Sequence, residues 1–152
     1  MLSRRHLRNR VLMALYSWSQ TKDHDATWYE KELFKGTERS YDLYLYLLSV
    51  LTELATEEER YYADLPPKYI QEESVRNTSI SGNVVLKWLA EDSAFQEAIK
   101  SRKIHLQEDI EMIRKLFHIV KASEPYKNYI SKAEHTAEED IEFCLWLLGK
   151  HN

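Results

Sequence analysis

Residues that interrupt regular structure are scarce in this sequence, which has three glycines and three prolines among 152 residues. Glycine and proline mark most turns and loops, so a chain with so few of them has few tight connections. Apolar residues recur at spacings of three and four through most of the chain, which is the period of an amphipathic helix. The sequence therefore predicts an all-α fold.

The first predicted helix covers residues 3–18. Its residues favour a helix, and Ser3 is a suitable N-cap because its hydroxyl can accept a hydrogen bond from an unpaired backbone N–H. At 100° per residue, five apolar residues fall on one face: Leu7, Val11, Ala14, Leu15 and Trp18. Leu12 and Tyr16 widen this face. We therefore expect the rear half of the helix to be buried and its front end to project into solvent.

Cations crowd that front end, where Arg4, Arg5, Arg8 and Arg10 lie with His6 among them. The positive end of the helix dipole disfavours cations, so the arrangement lowers stability unless an anion binds. The phosphate backbone of a nucleic acid is one such anion. The alternative is a solvated basic N-terminus that only aids solubility, and composition favours neither.

The net charge of −4 hides an asymmetry along the chain. Residues 1–22 hold five of the 21 basic residues and no acidic one, so the other 16 basic and all 25 acidic residues lie in the rest. Phosphate is attracted to the first segment and repelled by the second. Only the N-terminal end is therefore a candidate nucleic-acid surface.

Two helices are expected between residues 25 and 65. The first is short, reaches Phe34 and is ended by Gly36. The second, over residues 37–65, is the longest of the chain and carries two apolar stripes, which indicate packing on two sides. Thr56 with the three glutamates after it matches a capping box, so a break at that point is an alternative.

Residues 68–82 are polar and weakly patterned, and they form a candidate boundary or long loop. The pattern after them is helical again. Helices are expected to begin near Val84, at the capping box of Ser93, near Gln107, at Pro125 and at the capping box of Thr136. The last of these helices has an apolar stripe made of Ile141, Leu145 and Leu148.

No pattern typical of a catalytic site, a phosphate-binding loop or a metal cluster occurs in the sequence. Asp23, His24 and Asp25 are adjacent, so on a loop their side chains point apart and make a poor metal site. Cys144 is the only cysteine and lies in an apolar run, which predicts a buried, inert thiol. No secretory leader and no apolar run of about 18 residues occurs. We therefore expect a cytoplasmic protein that is not an enzyme and binds no cofactor or metal.

The arginine-rich helix resembles a known family. Residues 4–18 fit the pattern R-R-x-x-R-x-x-x-L-x-A-L-Y-S-W and are similar to the first helix of NusB, the bacterial transcription antitermination factor. Residues 37–67, with the segment YDLYLYLL at 41–48, resemble the long third helix of the same N-terminal bundle. The resemblance covers about residues 3–67. It implies a NusB-like three-helix bundle in residues 1–67, followed by additional helices in an inserted segment, residues 68–152.

The resemblance also implies a function and partners. In the NusB family the arginine-rich start binds boxA, a single-stranded RNA element, and the factor acts with the ribosomal protein NusE and RNA polymerase in the transcription elongation complex. No second NusB-like bundle is recognisable in residues 68–152. The chain is therefore expected to be the N-terminal part of the longer variant of the family.

The expected RNA-binding residues have two origins. The arginines of the R-R-x-x-R motif match those that contact RNA in the family, and Tyr16 matches an aromatic residue near the same surface. Arg10 and His6 are added from their charge and proximity. The full expected set is Arg4, Arg5, His6, Arg8, Arg10 and Tyr16. The alternative function is a helical protein–protein interaction module without RNA binding, with the acidic, aromatic second half as its binding surface.

Overall fold

The computed structural model describes residues 3–65, 79–132 and 134–149. Over these residues the protein has seven α-helices, two short 3-10 turns and no strand, so the predicted all-α fold is confirmed for them. The helices are α1 Arg4–Thr21, α2 Ala26–Ala63, α3 Val84–Glu91, α4 Ser93–Ser101, α5 Ile110–Ala122, α6 Glu124–Ser131 and α7 Ala137–Leu147. The 3-10 turns are Ile80–Gly82 and Gln107–Asp109.

Helix α2 is a single helix of 38 residues, so the predicted break at Gly36 and the alternative break at Thr56 are both wrong. Glycine inside a helix lowers stability by only about 1 kcal/mol relative to alanine, and the good helix formers on both sides outweigh that. The predicted three-helix bundle in residues 1–67 is therefore also wrong in its helix count, because α1 and α2 are the two helices described there.

The chain divides into two compact units, the first ending at Tyr44 and the second beginning at Leu45. Helix α2 contributes to both. The boundary predicted between residues 67 and 68 lies outside the described residues.

In the first unit, α1 and the first part of α2 are joined by a short connector with defined hydrogen bonds. Lys22 ends α1 in the left-handed conformation, with φ 49°, and its N–H donates to Trp18 O at 3.1 Å. Asp25 then caps α2, since its carboxylate accepts from Trp28 N at 2.9 Å. The hydroxyls of Tyr29 and Thr21 donate to Asp23 at 2.7 and 2.9 Å and hold the pKa of that carboxyl below its usual value. The connector is thus organised by turn and cap contacts.

Helix α1 has no fully buried residue among those described, so the predicted burial of its rear half is wrong. Leu12, Met13 and Tyr16 are 63% to 69% exposed. The physical reason is that one neighbouring helix covers only one side of a helix. That covered side lines a narrow apolar slot of about 160 Å³ against α2, to which Val11, Leu15, Trp18 and Leu33 contribute.

The second unit has a continuous apolar core to which six helices contribute. Its buried side chains include Leu54 of α2, Leu86 of α3, Phe95 of α4, Phe117 of α5, Tyr126 of α6 and Phe143 of α7. Cys144 is buried with them, and burial raises the pKa of its thiol to about 11. The predicted burial of Cys144 is therefore confirmed.

Glu58 of α2 is fully buried and holds three elements of this unit together. Its carboxylate accepts from the backbone N–H groups of Ile80 and Ser81 at 3.1 and 3.0 Å, which are the start of the first 3-10 turn. It also accepts from the hydroxyl of Tyr126 on α6 at 2.9 Å. A buried carboxylate is stable only when its oxygens are hydrogen-bonded in this way.

Gly36→Ala tests the continuity of α2. We expect it to raise the free energy of unfolding by about 0.5–1 kcal/mol, because alanine is the better helix former. The added Cβ would lie 3.4 Å from Arg10 Nη1, which is an ordinary van der Waals distance, so the change is tolerated. Thermal unfolding followed by circular dichroism measures the effect. Gly149→Ala is the control, expected to stabilise nothing because φ there is +88°. A loss of stability in Gly36→Ala would contradict a continuous helix.

Glu58→Gln tests the buried carboxylate. The new amide N–H₂ group would face donors that the carboxylate now accepts from, among them the N–H groups of Ile80 and Ser81. We therefore expect a loss of about 1–3 kcal/mol in the free energy of unfolding. Urea unfolding measures it. Glu59→Gln, at the exposed neighbouring position, is the matched control and is expected to change stability by less than about 0.5 kcal/mol. Equal effects of the two substitutions would show that the Glu58 contacts do not stabilise the second unit.

Candidate nucleic-acid interface

The start of α1 is fixed by Ser3. Its backbone is extended, with φ −67° and ψ 156°, and its hydroxyl accepts from the backbone N–H of His6 at 3.3 Å. The ring nitrogen Nδ1 of His6 lies 2.7 Å from the same hydroxyl. Ser3 is therefore the N-cap that the sequence predicts, and His6 is held at the helix end.

Arg4, Arg5 and Arg8 are all exposed at this end of α1. Among the described residues, none of the three forms an ion pair or a side-chain hydrogen bond, and the first turn of the helix contains no acidic residue. Arg4 and Arg8 are four residues apart and so lie on one face, one above the other. Three guanidinium groups thus face solvent together.

Arg10 differs from the other arginines because it contacts α2. Its Nη2 donates to the hydroxyl of Ser40 at 2.6 Å, and that hydroxyl donates in turn to Gly36 O at 3.0 Å. The guanidinium also passes close to Gly36, where the chain lacks a side chain. The structure therefore gives Arg10 a role in holding α1 on α2, which a spacing of thirty residues in sequence could not indicate.

Tyr16 lies on an exposed strip of α1 that also contains Arg5. Spacings of four, three and four connect Arg5, Asn9, Leu12 and Tyr16, so their side chains follow one side of the helix. At 1.5 Å per residue, Arg5 and Tyr16 are about 16 Å apart along the helix axis. The strip offers a cation, an amide and an aromatic ring in a row.

Asn9 is a candidate residue that the sequence analysis missed. It is exposed, and its amide can donate and accept hydrogen bonds next to Arg5. Its spacing of four from Arg5 was the signal available in the sequence.

Other kinds of site find little support in the part of the chain that the structure describes. No group of three or more metal-ligating side chains occurs among those residues. No helix among them is long and apolar enough to cross a membrane. Comparisons of the chain with protein-family models, with curated proteins and with solved structures find no match.

A comparison of two arginines tests their different contacts. We expect Arg10→Ala to lower the stability of the α1–α2 pair by about 0.5–1.5 kcal/mol, because it removes the hydrogen bond to Ser40. Arg8→Ala removes the same side chain from an exposed position where it forms no ion pair with a described residue, and alanine is the better helix former, so stability is expected to be unchanged or slightly raised. Thermal unfolding by circular dichroism separates the two. A loss in Arg8→Ala as large as that in Arg10→Ala would contradict this assignment.

Proposed function

We propose that this protein is an RNA-binding transcription antitermination factor of the NusB type, which binds boxA-like single-stranded RNA through the start of α1. The observation that carries the proposal is that Arg4, Arg5 and Arg8 face solvent together without an ion pair among the described residues. Its partners would be NusE and the transcription elongation complex, as the family resemblance implies.

The energetics of the helix end support an anionic ligand. Cations near the positive end of a helix dipole are disfavoured by a few tenths of a kcal/mol each when exposed. A phosphate bound between the guanidinium groups is attracted both by them and by the positive end of the helix dipole, so its binding offsets the unfavourable interaction. Guanidinium is also well suited to RNA, because it donates two parallel hydrogen bonds to a phosphate and stacks on unpaired bases.

The exposed strip of α1 extends the proposed contact beyond the phosphates. Tyr16 is 63% exposed, so its ring is accessible to an unstacked base. Asn9, between Arg5 and Tyr16, can hydrogen-bond to a base edge. In this proposal Arg10 acts indirectly, by holding α1 in place, and His6 contributes at the helix end.

The acidic remainder of the chain supports the same location. Outside residues 1–22 acidic residues outnumber basic ones by 25 to 16, so those residues repel phosphate on average. RNA affinity would then depend on a few arginines and be sensitive to each of them.

The double substitution Arg4→Ala with Arg8→Ala tests the proposal. For single-stranded RNA each lost phosphate contact reduces the salt slope by about 0.7, so we expect a slope smaller by about 1.4 and an affinity lower by about tenfold or more. Fluorescence anisotropy of a labelled boxA-type RNA, repeated over a series of salt concentrations, measures both.

The matched control is Lys87→Ala with Lys115→Ala, which removes two exposed charges from the second unit and is expected to leave both quantities unchanged. Equal losses in the two double variants would mean that RNA responds to net charge only. An unchanged affinity and slope in the arginine variant would remove α1 from RNA binding and favour the alternative, a protein-interaction module.

A further inference from the structure

Helices α3 and α7 of the second unit are joined by hydrogen bonds at their inner sides. Val84 N donates to the Asp140 carboxylate at 3.0 Å, and the Asn83 amide donates to Asp140 O at 3.1 Å. Phe143 and Cys144 of α7 and Leu86 and Leu89 of α3 are buried in the same apolar core. The two helices are therefore held together with fixed rotations about their axes.

These rotations leave a second apolar surface pointing outward. It consists of one stripe on each helix: Val84 and Trp88 on α3, and Ile141 and Leu145 on α7, with Leu148 directly after the last residue of α7. We call these five residues the α3–α7 face. The two stripes are on helices that are bonded to each other, since Ile141 directly follows Asp140, whose carboxylate accepts from the backbone N–H of Val84.

The α3–α7 face has the pattern of a helix-binding surface. Its α7 stripe has spacings of four and three, which is the pattern by which helices pack on other helices. Trp88, its largest side chain, is 62% exposed. Single exposed apolar residues are common on proteins, but groups of them on two helices that pack together are typical of interaction sites, and tryptophan is enriched among the residues that dominate such sites.

Within the part of the chain that the structure describes, three acidic residues without ion-pair partners lie beside this face, against one exposed cation, Lys87 of α3. Glu138 and Glu142 lie beside the stripe of α7, and Glu91 lies three residues after Trp88 on α3. Among the described residues none of these three forms an ion pair, whereas the neighbouring Glu139 pairs with Lys132 at 2.8 Å.

The helix dipole explains only part of this acidic rim. Glu138 is in the first turn of α7, where a carboxylate is favoured. Glu142 is in the middle of the helix, and Glu91 is the last residue of α3, where the dipole disfavours an acid. Their charge is therefore better matched by a cationic ligand.

We propose that the α3–α7 face binds a basic amphipathic helix of a partner protein. The apolar side of that helix would cover Trp88, Ile141 and Leu145, and its lysines or arginines would pair with the acidic rim. The argument rests on residues of the second unit alone, so it stands independently of RNA binding at α1.

A designed peptide tests the proposal on the whole chain. The probe is a fluorescein-labelled amphipathic helix of leucine and lysine, and the control peptide has glutamate in place of every lysine. We expect the lysine peptide to bind in fluorescence anisotropy and the glutamate peptide not to bind, because only the first complements the rim.

Substitutions locate the binding. Leu145→Lys is expected to weaken the lysine peptide at least about tenfold, since it places a like charge in the apolar stripe. Its matched control is Ile119→Lys on α5, an exposed residue away from the face, which is expected to change nothing. Circular dichroism checks that both variants keep their helix content.

A second pair of variants tests the acidic residues beside the face. Glu138→Gln with Glu142→Gln is expected to reduce the salt dependence of binding, and Glu97→Gln with Glu108→Gln is its control.

Three results would overturn the proposal. The first is equal binding of the two peptides, and the second is binding of the lysine peptide that Leu145→Lys does not weaken. The third is a dimer of the chain in sedimentation velocity that Leu145→Lys dissociates, which would make a second copy the occupant of the face. Arg4→Ala with Arg8→Ala is expected to leave peptide binding unchanged, so failure of the RNA proposal and failure of this one are distinguishable.

Discussion

The contact between α1 and the first part of α2 is the interaction on which the candidate RNA interface depends. A helix of 18 residues is only marginally stable in water by itself, and the arginines at its start weaken it further. Apolar contacts of Val11, Leu15 and Trp18 compensate, together with the hydrogen bond from Arg10 to Ser40. Arg4 and Arg8 continue the same side of α1 towards its start, before the first of these apolar contacts, and there they and Arg5 are exposed. The same packing therefore stabilises the helix and displays its cations.

The second unit depends on buried polar side chains that are fully hydrogen-bonded. Asn83 caps α3 by accepting from Val85 N and Leu86 N, and donates to Tyr129 OH and Asp140 O. The Tyr129 hydroxyl in turn donates to Asp140 at 2.6 Å, and burial holds the pKa of that hydroxyl well above its usual value. Among the described residues no buried side-chain polar atom lacks a partner. Because such bonds are directional, they set the rotation of α3 and α7 and so decide which residues form the α3–α7 face.

The sequence predicts the ends of helices well where a local signal such as a capping residue marks them. It predicts burial and contacts poorly where these depend on residues far away in the sequence. Thr136 caps α7 through Glu139 N, as the capping box predicts. Gly36 misleads because a glycine weakens a helix without ending it. Periodicity finds the apolar face of α1 but cannot reveal how many neighbours cover it. Glu58 shows this limit most clearly. The sequence assigned it to a possible capping box, whereas in the structure it is fully buried and hydrogen-bonded to residues 22 to 68 positions away. In the candidate site, the exposure of Arg4, Arg5 and Arg8 could be expected from the sequence around them. The hydrogen bond from Arg10 to Ser40 could not, because its partner is thirty residues away.

The opposite charges of the two candidate surfaces give each its own class of ligand. The start of α1 is cationic and lies in a segment without acidic residues, so it attracts phosphate and repels basic peptides. The rim of the α3–α7 face is anionic, so it attracts basic peptides and repels RNA. Each surface therefore disfavours the ligand of the other by like-charge repulsion, which adds to the specificity that attractive contacts provide. The uneven charge of the chain thus has a physical consequence: it gives the two candidate surfaces preferences for ligands of opposite charge.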